Sequence, residues 1–472
     1  MQTATDTAAL LAHLDTDHDA AVARLSELLA IPSVSTDPAF AQHMQSGAKW
    51  VADDLMSMGF EVQSLTHDGG HPAILAKSTD AIVADDATQR VLFYGHYDVQ
   101  PPDPLDGWSD PAFEPTIKES VTPEDGPAIF ARGSSDDKGQ VMCFLEALRA
   151  YRSTGTKLPC HVTVLIEGEE ECGSKTLPAL LADHADDLKA DVALVSDTSM
   201  HDTHTVAITY GLRGLVYFDL KLHGPSRDLH SGVYGGTLPN PATVLARVLG
   251  KLFDDDNRVT IPGFYDDVAP LDPAERAEWD KLGFDESEFL GEVGSTPFGE
   301  QGFTTLERRW ARPACDVNGL YGGYMGEGAK TVIPSFAGAK VSFRIPGNMD
   351  PMKVAEQFTS WLKQQEVGGC RWEINDLGSD AYPVLVPRDS PYVQAAAQAI
   401  EHVAGHRPAL VREGATIPVI AELQSKLGMD TLLVGFGLHA DNIHSPDEHF
   451  ALRRFKLGAK VHAQLLADLA SV

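Results

Sequence analysis

The sequence predicts an α/β fold in which a main domain, with a mostly parallel sheet flanked by helices, is interrupted by a smaller α+β domain. Short apolar runs alternate with helical patterns before residue 211 and again after residue 388. Between these parts, apolar and polar residues alternate with a period of two, as in strands with one solvated face. The length of 472 residues also exceeds the roughly 250–300 that one hydrophobic core accommodates.

The first part of the main domain, residues 1–211, begins with helices and continues as alternating strands and helices. Apolar residues at helical spacing predict helices at Leu10–Leu29 and near Gly47–Met58. Short apolar runs predict four strands, at Ala73–Ala76, Val91–Tyr94, Val162–Ile166 and Val192–Val195. Helical patterns at Val141–Arg152 and Leu177–Leu188 lie between them. Strands that alternate with helices in this way form βαβ units around a mostly parallel sheet.

The smaller domain, residues 212–387, is predicted from a change of pattern. Val216–Leu222 and Ala337–Arg344 alternate apolar with polar residues, and each is expected to form a strand. Helices are expected near Pro241–Phe253 and Met352–Gln364. Strands and helices that are grouped in this way suggest a small α+β domain inserted into the main one.

The main domain resumes with residues 388–472. This part is predicted to contain three helices and one strand, at Val393–Ala404, Val419–Leu427, Glu448–Leu469 and Thr431–Val434. The α/β pattern has therefore returned, and both parts of the main domain are expected to contribute to one sheet.

Composition and charge exclude several classes of protein. Lys and Arg number 37 against 68 Asp and Glu, which gives a formal net charge of −31. A surface this acidic repels phosphate groups, so neither nucleic acid nor an anionic membrane is expected as a partner. No apolar stretch approaches the roughly 20 residues of a membrane helix, and the N-terminus lacks the pattern of a signal peptide. Five scattered cysteines fit a reducing compartment, so a cytoplasmic protein is expected.

Histidine and carboxylate side chains follow the predicted strands at the point where each strand ends. They are His96 and Asp98, then Glu169, Glu170 and Glu171, then Asp197, and finally His444, while Asp136 precedes a predicted helix. Because ligands gather beyond the carboxyl ends of the strands in such sheets, we expect these side chains to lie together. Histidine and carboxylate ligands without thiolates suit Zn²⁺, with Mn²⁺ or Co²⁺ as alternatives.

The number of acidic groups favours two metal ions over one. Two divalent cations retain a small positive charge beside several carboxylates, whereas a single cation would be outweighed by them. Two-metal sites lower the pKa of a shared water molecule, and a spare carboxylate nearby can act as a general base. The residues alone leave Glu169, Glu170 and Glu171 as candidates for that base.

Seven strings of the chain resemble a known family of enzymes. They are YGHYDVQPP, RGSSDDKGQ, EGEEECGS, YGLRG, DLHSGVYGG, GAKTVIPS and SFRIPGNM. They resemble the dizinc metallopeptidase family of carnosinase-type dipeptidases, carboxypeptidase G, aminoacylase, and the acetylornithine and succinyl-diaminopimelate deacylases. The resemblance covers nearly the whole chain and is closest to the carnosinase-type, cytosolic non-specific dipeptidases. It implies that the main domain is catalytic and that the inserted domain is a lid and dimerisation domain.

For the metal centre, the resemblance implies two divalent ions and five ligands, namely His96, Asp136, Glu171, Asp197 and His444. Asp136 would lie between the two ions. Glu170 would be the general base, and Asp98 would orient the imidazole of His96, as metal-bound histidines require.

For the substrate, the resemblance implies residues of the inserted domain and a homodimer. His230 would come from the neighbouring subunit and stabilise the oxyanion. Arg344 and Thr331 would hold the terminal carboxylate of the substrate, and Thr416 would lie at the same pocket. In the family pattern a serine stands where this chain has Thr416, so the hydroxyl is retained.

The predicted function is therefore metal-dependent hydrolysis of a dipeptide by an enzyme. One alternative is an amidohydrolase of the same family that acts on N-acyl or N-carbamoyl amino acids. A second is a non-catalytic relative that binds a metal or a peptide. The complete set of predicted ligands, together with Glu170, argues against the second alternative.

Overall fold

The computed structural model describes residues 7–291 and 293–472. The chain divides into two compact units, of which the first comprises Met1–Tyr210, Val386–Val411 and Glu422–Val472. The second comprises the remaining residues, 211–385 and 412–421. Within the described residues, no helix has both the length and the apolar character needed to cross a membrane.

Within the described residues, the α-helices are α1 Ala8–Thr16, α2 His18–Leu29, α3 Ala41–Ser57, α4 Lys138–Thr154, α5 Leu177–Asp183, α6 Ala185–Leu188, α7 Ser231–Tyr234, α8 Pro241–Leu249, α9 Pro273–Trp279, α10 Glu286–Gly291, α11 Thr305–Trp310, α12 Pro351–Lys363, α13 Pro391–Ala404, α14 Pro418–Leu427 and α15 Leu452–Leu469. In the same part of the chain, the strands are β1 Phe60–Leu65, β2 Ala73–Ser78, β3 Arg90–His96, β4 Thr116–Glu119, β5 Pro127–Phe130, β6 His161–Glu167, β7 Val192–Val195, β8 Ala207–Leu212, β9 Gly214–His223, β10 Leu229–His230, β11 Ala314–Gly322, β12 Val332–Ile333, β13 Phe336–Ile345, β14 Arg371–Ala381, β15 Val384–Leu385, β16 Ala409–Glu413, β17 Asp430–Leu433 and β18 His449–Ala451.

The first unit is built on a sheet with the strand order β1-β2-β6-β3-β7-β17-β8. Its centre is parallel, because β3 runs parallel to β6 and β7, and β17 runs parallel to β7. Antiparallel strands lie at the edges, where β2 pairs with β6 and β8 pairs with β17. The predicted α/β fold class with a mostly parallel sheet is therefore confirmed.

Burial explains why the central strands could be located from the sequence. Strand β7 is buried throughout, and β3 is buried from Val91 to His96. Strands that are covered on both faces are continuous apolar runs, which the sequence displays directly. One covering helix is α4, where Phe144 stacks on Phe93 of β3 with ring centroids 3.9 Å apart. Helix α15 in turn packs against α4 and α13.

The second unit contains an antiparallel sheet with the order β11-β13-β9-β14. Strand β9 alternates buried and half-buried residues, and its buried face packs on a core that includes α8 and α12. Strands β11 and β14 were not predicted. Both contain register shifts, between Val317 and Gly319 and on either side of Gly378, which disrupt a period-two pattern.

Three predicted helices differ from the structure. The helix at Leu10–Leu29 is two helices, α1 and α2, separated at Asp17. The pattern at Leu177–Leu188 is likewise divided, at His184. The last predicted helix begins at Leu452 instead of Glu448, because His449–Ala451 form β18 and pair with β5.

The predicted domain bounds differ from the two units mainly at residues 412–421. The prediction assigns these residues to the main domain, whereas they are part of the second unit. Arg412 forms an ion pair with Glu275 of that unit, and its guanidinium lies 5.4 Å from the ring centroid of Trp279. The roles of lid and dimerisation domain remain predictions.

Candidate active site

The carboxyl ends of the parallel strands deliver side chains to one edge of the sheet in the first unit. His96 is the last residue of β3, and Glu170 and Glu171 lie in a short 3₁₀ helix after β6. Asp197 follows β7, and His444 lies in the loop after β17. Asp136 precedes α4. The position of each residue follows from the strand or helix that its sequence predicts.

His96 is buried, and its two ring nitrogens have different surroundings. Its Nδ1 lies 3.0 Å from the backbone oxygen of Asp98, which can only accept a hydrogen bond. A proton therefore resides on Nδ1, and Nε2 is the nitrogen that can offer a lone pair to a cation. Burial lowers the pKa of His96, but Asp136 and Asp98 outweigh it and raise the pKa well above its ordinary value, so a positive charge is favoured here. This Nε2 is 3.1 Å from Asp136 Oδ1, yet it is buried and its geometry forms no hydrogen bond. A lone pair and a carboxylate oxygen that face the same space are the donors a metal cation requires.

Two groups of potential ligands share one residue. The first group is His96, Asp136 and Asp197, and the second is Asp136, Glu171 and His444. Within each group the ligand atoms lie within 4.8 Å of one another. Asp136 belongs to both groups, as a carboxylate between two cations would.

Glu171 is oriented by its neighbours so that one oxygen has no partner. Gln100 Nε2 donates to Glu171 Oε2 at 2.7 Å, and the Glu171 backbone N–H donates to Asp98 Oδ2 at 3.0 Å. His444 Nε2 lies 3.2 Å from the same Oε2 and 2.9 Å from Asp136 Oδ2. The second oxygen, Glu171 Oε1, is buried without a hydrogen-bond partner.

The electrostatics of the cluster fit a cation. Hydrogen bonds to Asp136 and Glu171 raise the pKa of His444 to about 10. Burial raises the pKa of Asp197 well above its usual range, and repulsion from Asp136 adds to the rise. Carboxylates crowded in a buried site favour any positive charge, and divalent ions bind the same donor set. The unpartnered donor atoms and the negative surroundings therefore fit a metal cation.

Glu170 has the surroundings of a general base. Burial raises the pKa of Glu170 to about 7; His96 opposes this rise, and the carboxylates of Glu171 and Asp136 add to it. The Glu170 backbone N–H donates to Asp98 Oδ1 at 3.3 Å. Asp98 therefore links the His96 segment to the Glu170 segment. A base works best when its pKa lies near the operating pH.

Glu169 is engaged in structural hydrogen bonds. Its Oε1 accepts from the backbone N–H of His71 at 3.0 Å, and its Oε2 accepts from the Thr176 backbone N–H at 3.1 Å and from the Thr176 hydroxyl. Of the three glutamates that the residues alone left open, this one has its oxygens occupied. Sequence reasoning missed Gln100 and Asp137, although Gln100 lies in the string YGHYDVQPP. Asp137 Oδ2 accepts the backbone N–H of His96 at 3.1 Å.

In the second unit, His230 and Thr331 lie side by side. His230 pairs with Val332 in the two-stranded sheet of β10 and β12, and the Ser231 backbone N–H donates to Thr331 O at 3.1 Å. The imidazole of His230 is exposed, and its Nδ1 accepts the Gly232 backbone N–H at 2.9 Å. Its Nε2 is therefore available to donate to a ligand.

Arg344 and Thr416 form a second pair in the same unit. Arg344 Nη1 donates to Thr416 Oγ1 at 2.9 Å, and the Thr416 hydroxyl donates to the backbone oxygen of Arg213. Arg344 lies near one end of β13, and β12 precedes the opposite end, which begins at Phe336. About 26 Å of extended strand separate Phe336 from Arg344, at roughly 3.3 Å per residue.

The four predicted substrate residues therefore form two separate pairs and do not share one pocket within a chain. The structure brings Thr331 to His230 and brings Thr416 to Arg344. Within one chain it does not bring Thr331 and Arg344 to one pocket, since they lie toward opposite ends of β13. The sequence alone could not reveal this separation, because Thr331 and Arg344 are only 13 residues apart in the chain and the extended strand between them was needed to place them.

The fold and the site together define a class of protein. Histidine and carboxylate donors at the carboxyl edge of a parallel sheet, next to a carboxylate with a raised pKa, are typical of a metal-dependent hydrolase. A comparison with protein families identifies the family, since the description "Peptidase family M20/M25/M40" matches residues 92–468. The chain belongs to this peptidase family, which implies binding of a divalent metal.

Curated relatives match along nearly their whole length. Cys-Gly metallodipeptidase DUG1 of Candida albicans is 34% identical over 454 residues, which span 93% of this chain and 92% of the relative. Human Beta-Ala-His dipeptidase is 30% identical, over 98% of this chain and 92% of the relative. The likeness to the carnosinase-type dipeptidases is therefore confirmed.

Solved structures agree with the fold. The dipeptidase Dug1p of Saccharomyces cerevisiae has a TM-score of 0.79 at 28% identity, with 100% of both chains covered. The M20 family metallo-carboxypeptidase Sso-CP2 of Sulfolobus solfataricus has a TM-score of 0.82 at 30% identity, over 96% of this chain and 99% of that one.

Proposed function

We propose that this enzyme hydrolyses the amide bond of dipeptides with two divalent cations, of which Zn²⁺ is the first candidate and Mn²⁺ and Co²⁺ the alternatives. The observation that carries the proposal is the pair of ligand groups that share Asp136 beside Glu170. Two relatives are named for their action on Cys-Gly and on Beta-Ala-His, which are both dipeptides. A dipeptide ends in a free carboxylate, which suits the guanidinium of Arg344.

The residues of the chain divide the chemical work. His96, Asp136, Glu171, Asp197 and His444 would hold the cations. When bound, such cations polarise the substrate carbonyl and lower the pKa of a water molecule. Glu170 takes a proton from that water and returns it to the leaving amine, for which a pKa of about 7 is suited. His230 donates to the carbonyl oxygen as its negative charge develops.

We propose that the substrate site is completed by two chains of a homodimer. Thr331 lies with His230, and Arg344 lies with Thr416 at the other end of β13. One dipeptide is far shorter than the strand between the pairs, so one chain does not offer both pairs to one substrate. A second copy that supplies His230 and Thr331 removes this conflict.

We also propose a cytoplasmic location. In the described residues the five cysteines are free, and four of them are buried. Unpaired cysteines persist as thiols in a reducing compartment.

A substrate panel with metal control tests the proposed activity. The panel contains dipeptides with a free carboxylate, among them Cys-Gly and Beta-Ala-His, together with N-acyl and N-carbamoyl amino acids. We expect hydrolysis of dipeptides that a chelator abolishes and added Zn²⁺ or Mn²⁺ restores, with two ions bound per chain. A metal-replete protein that cleaves only N-acyl or N-carbamoyl amino acids, or nothing, would overturn the proposal.

A further inference from the structure

A buried carboxylate outside the proposed ligand set holds the segment that carries Asp136. Glu448 is 1% exposed. Its Oε1 accepts the backbone N–H groups of Ser135 and Asp136, at 3.0 and 3.1 Å. Its Oε2 accepts the Gly133 backbone N–H at 2.9 Å and Arg132 Nη1 at 2.7 Å. One side chain thus binds four donors of a single short segment, and that segment leads into a proposed metal ligand.

The same carboxylate belongs to the loop that carries His444. Glu448 follows His444 by four residues, and β18 begins directly after it. Asp441, three residues before His444, also reaches the Asp136 segment, since Ser135 Oγ donates to Asp441 Oδ2 at 2.8 Å. The loop of His444 is therefore bound to the Asp136 segment on both sides.

The loop of His444 needs such support. His444 is 51% exposed in its side chain, and its φ of 61° lies in the left-handed region. Asn442 and Asp447 have positive φ angles as well, of 58° each. A residue other than glycine is uncommon in this conformation, although Asn, Asp and His adopt it more readily than most. The bonds of Asp441 and Glu448, together with those from Ser109 to Asp447, hold the turns that present the imidazole.

We propose that Glu448 is a positioning residue that fixes the spacing of Asp136 and His444 before a cation binds. This inference rests on the proposed metal centre and assigns Glu448 no contact with metal or substrate. A ligand group that is already assembled binds its cation with less loss of conformational freedom. Supporting hydrogen bonds of this kind typically contribute about 10–100-fold to metal affinity.

Two acceptor oxygens are needed at this position, because all four partners of Glu448 are donors. In Glu448→Gln the amide NH₂ would replace one acceptor oxygen and face donors. We therefore expect the Zn²⁺ or Co²⁺ affinity of the folded protein to fall about 10–100-fold. The visible absorption of the Co²⁺-loaded variant should also change, because His444 and Asp136 would no longer be held at the same spacing.

The chain offers a matched control in Glu146→Gln. Glu146 is 2% exposed and accepts from Arg24 Nε and Nη2, both at 2.7 Å, so it is also a buried carboxylate paired with an arginine. It lies within α4 and belongs to neither ligand group. We expect this variant to lose thermal stability while its metal affinity and Co²⁺ spectrum stay as in the unmodified protein.

Metal affinity is measured by competition with a chelator on protein that circular dichroism shows to be folded. If Glu448→Gln does not fold, Arg132→Lys serves instead, since it changes one of the four donors to Glu448, and a loss of about 3–10-fold is expected. Unchanged metal affinity and spectrum in a folded Glu448→Gln, or in Arg132→Lys where that variant is needed, would overturn the inference. Loss of affinity in a protein that cleaves no dipeptide would support the inference and overturn only the proposed function.

Discussion

The two units differ in how completely each assembles its predicted residues. In the first unit, every predicted ligand and Glu170 meet at one edge of the sheet, and buried carboxylates support them. In the second unit, the predicted substrate residues divide into two pairs toward opposite ends of β13. One chain therefore contains both candidate ligand groups, whereas the proposed homodimer concerns the substrate residues.

Replacement of Glu170 gives the largest expected effect. Glu170→Gln removes the proposed base and no predicted ligand, so kcat should fall by about 10²–10⁴-fold while metal content is unchanged. Glu169→Gln is the matched control, because Glu169 accepts structural hydrogen bonds and should affect stability more than kcat. Steady-state kinetics with metal analysis decide between these outcomes. Near-normal turnover in Glu170→Gln would remove the base from the account.

Replacement of His230 should separate catalysis from metal binding. His230→Ala removes a proposed donor to the developing oxyanion, and kcat should fall by about 10²–10³-fold with metal affinity unchanged. The expected loss lies in kcat more than in KM, because the donor acts on charge that forms during reaction. A change confined to KM would show instead that His230 only binds the substrate.

Replacement of Arg344 should give a smaller effect, and it should appear in KM more than in kcat. Arg344→Met removes the proposed partner of the substrate carboxylate, so KM should rise by about 10–100-fold with a lesser change in kcat. Comparison of a dipeptide with its C-terminal amide provides the control. The amide should be a poor substrate for the unmodified enzyme, and its KM should differ little between the unmodified enzyme and Arg344→Met. An unchanged KM for the free dipeptide would contradict the proposed role.

The smallest expected effect concerns stability and not turnover. Burial lowers the pKa of His462 to about 3, below the ordinary value of 6.5, and His462 Nε2 lies 2.8 Å from Ser196 Oγ. Below pH 6.5 His462 binds a proton in the unfolded state but remains neutral in the folded state. Acidification from 6.5 towards 3 should therefore lower the free energy of unfolding, by at most about 1.4 kcal/mol per pH unit. Denaturation at several pH values should show that the free energy of unfolding falls less steeply with acidification in His462→Gln than in the unmodified protein. Identical slopes in the two proteins would exclude His462 as the source of the acid dependence.

The sequence predicted which side chains lie together at the edge of the sheet in the first unit, for a physical reason. His96 ends a buried strand, and Asp197 and His444 come after two others; such strands are visible as apolar runs. The supporting contacts of Glu448 could not be predicted, because its segment reads as the start of helix α15 and forms part of a small sheet instead. Similarly, the separation of Thr331 from Arg344 depends on the pairing of β10 with β12, two short strands without a pattern of their own.

The central claim is that the proposed metal ligands and Glu170 of one active site come from one chain, while His230 comes from the other chain. Subunit complementation tests this claim most directly. Glu170→Gln and His230→Ala chains, each expected to retain about 1% or less of the activity, are produced together so that they assemble at random. If His230 acts across the interface, about a quarter of the original activity should return, because half of the dimers are mixed and each has one intact site. A mixture of Glu170→Gln and Asp197→Asn chains should recover no activity, because both changes affect the part of the site that each chain supplies to itself. No recovery in the first mixture, with mixed dimers demonstrated, would contradict the account.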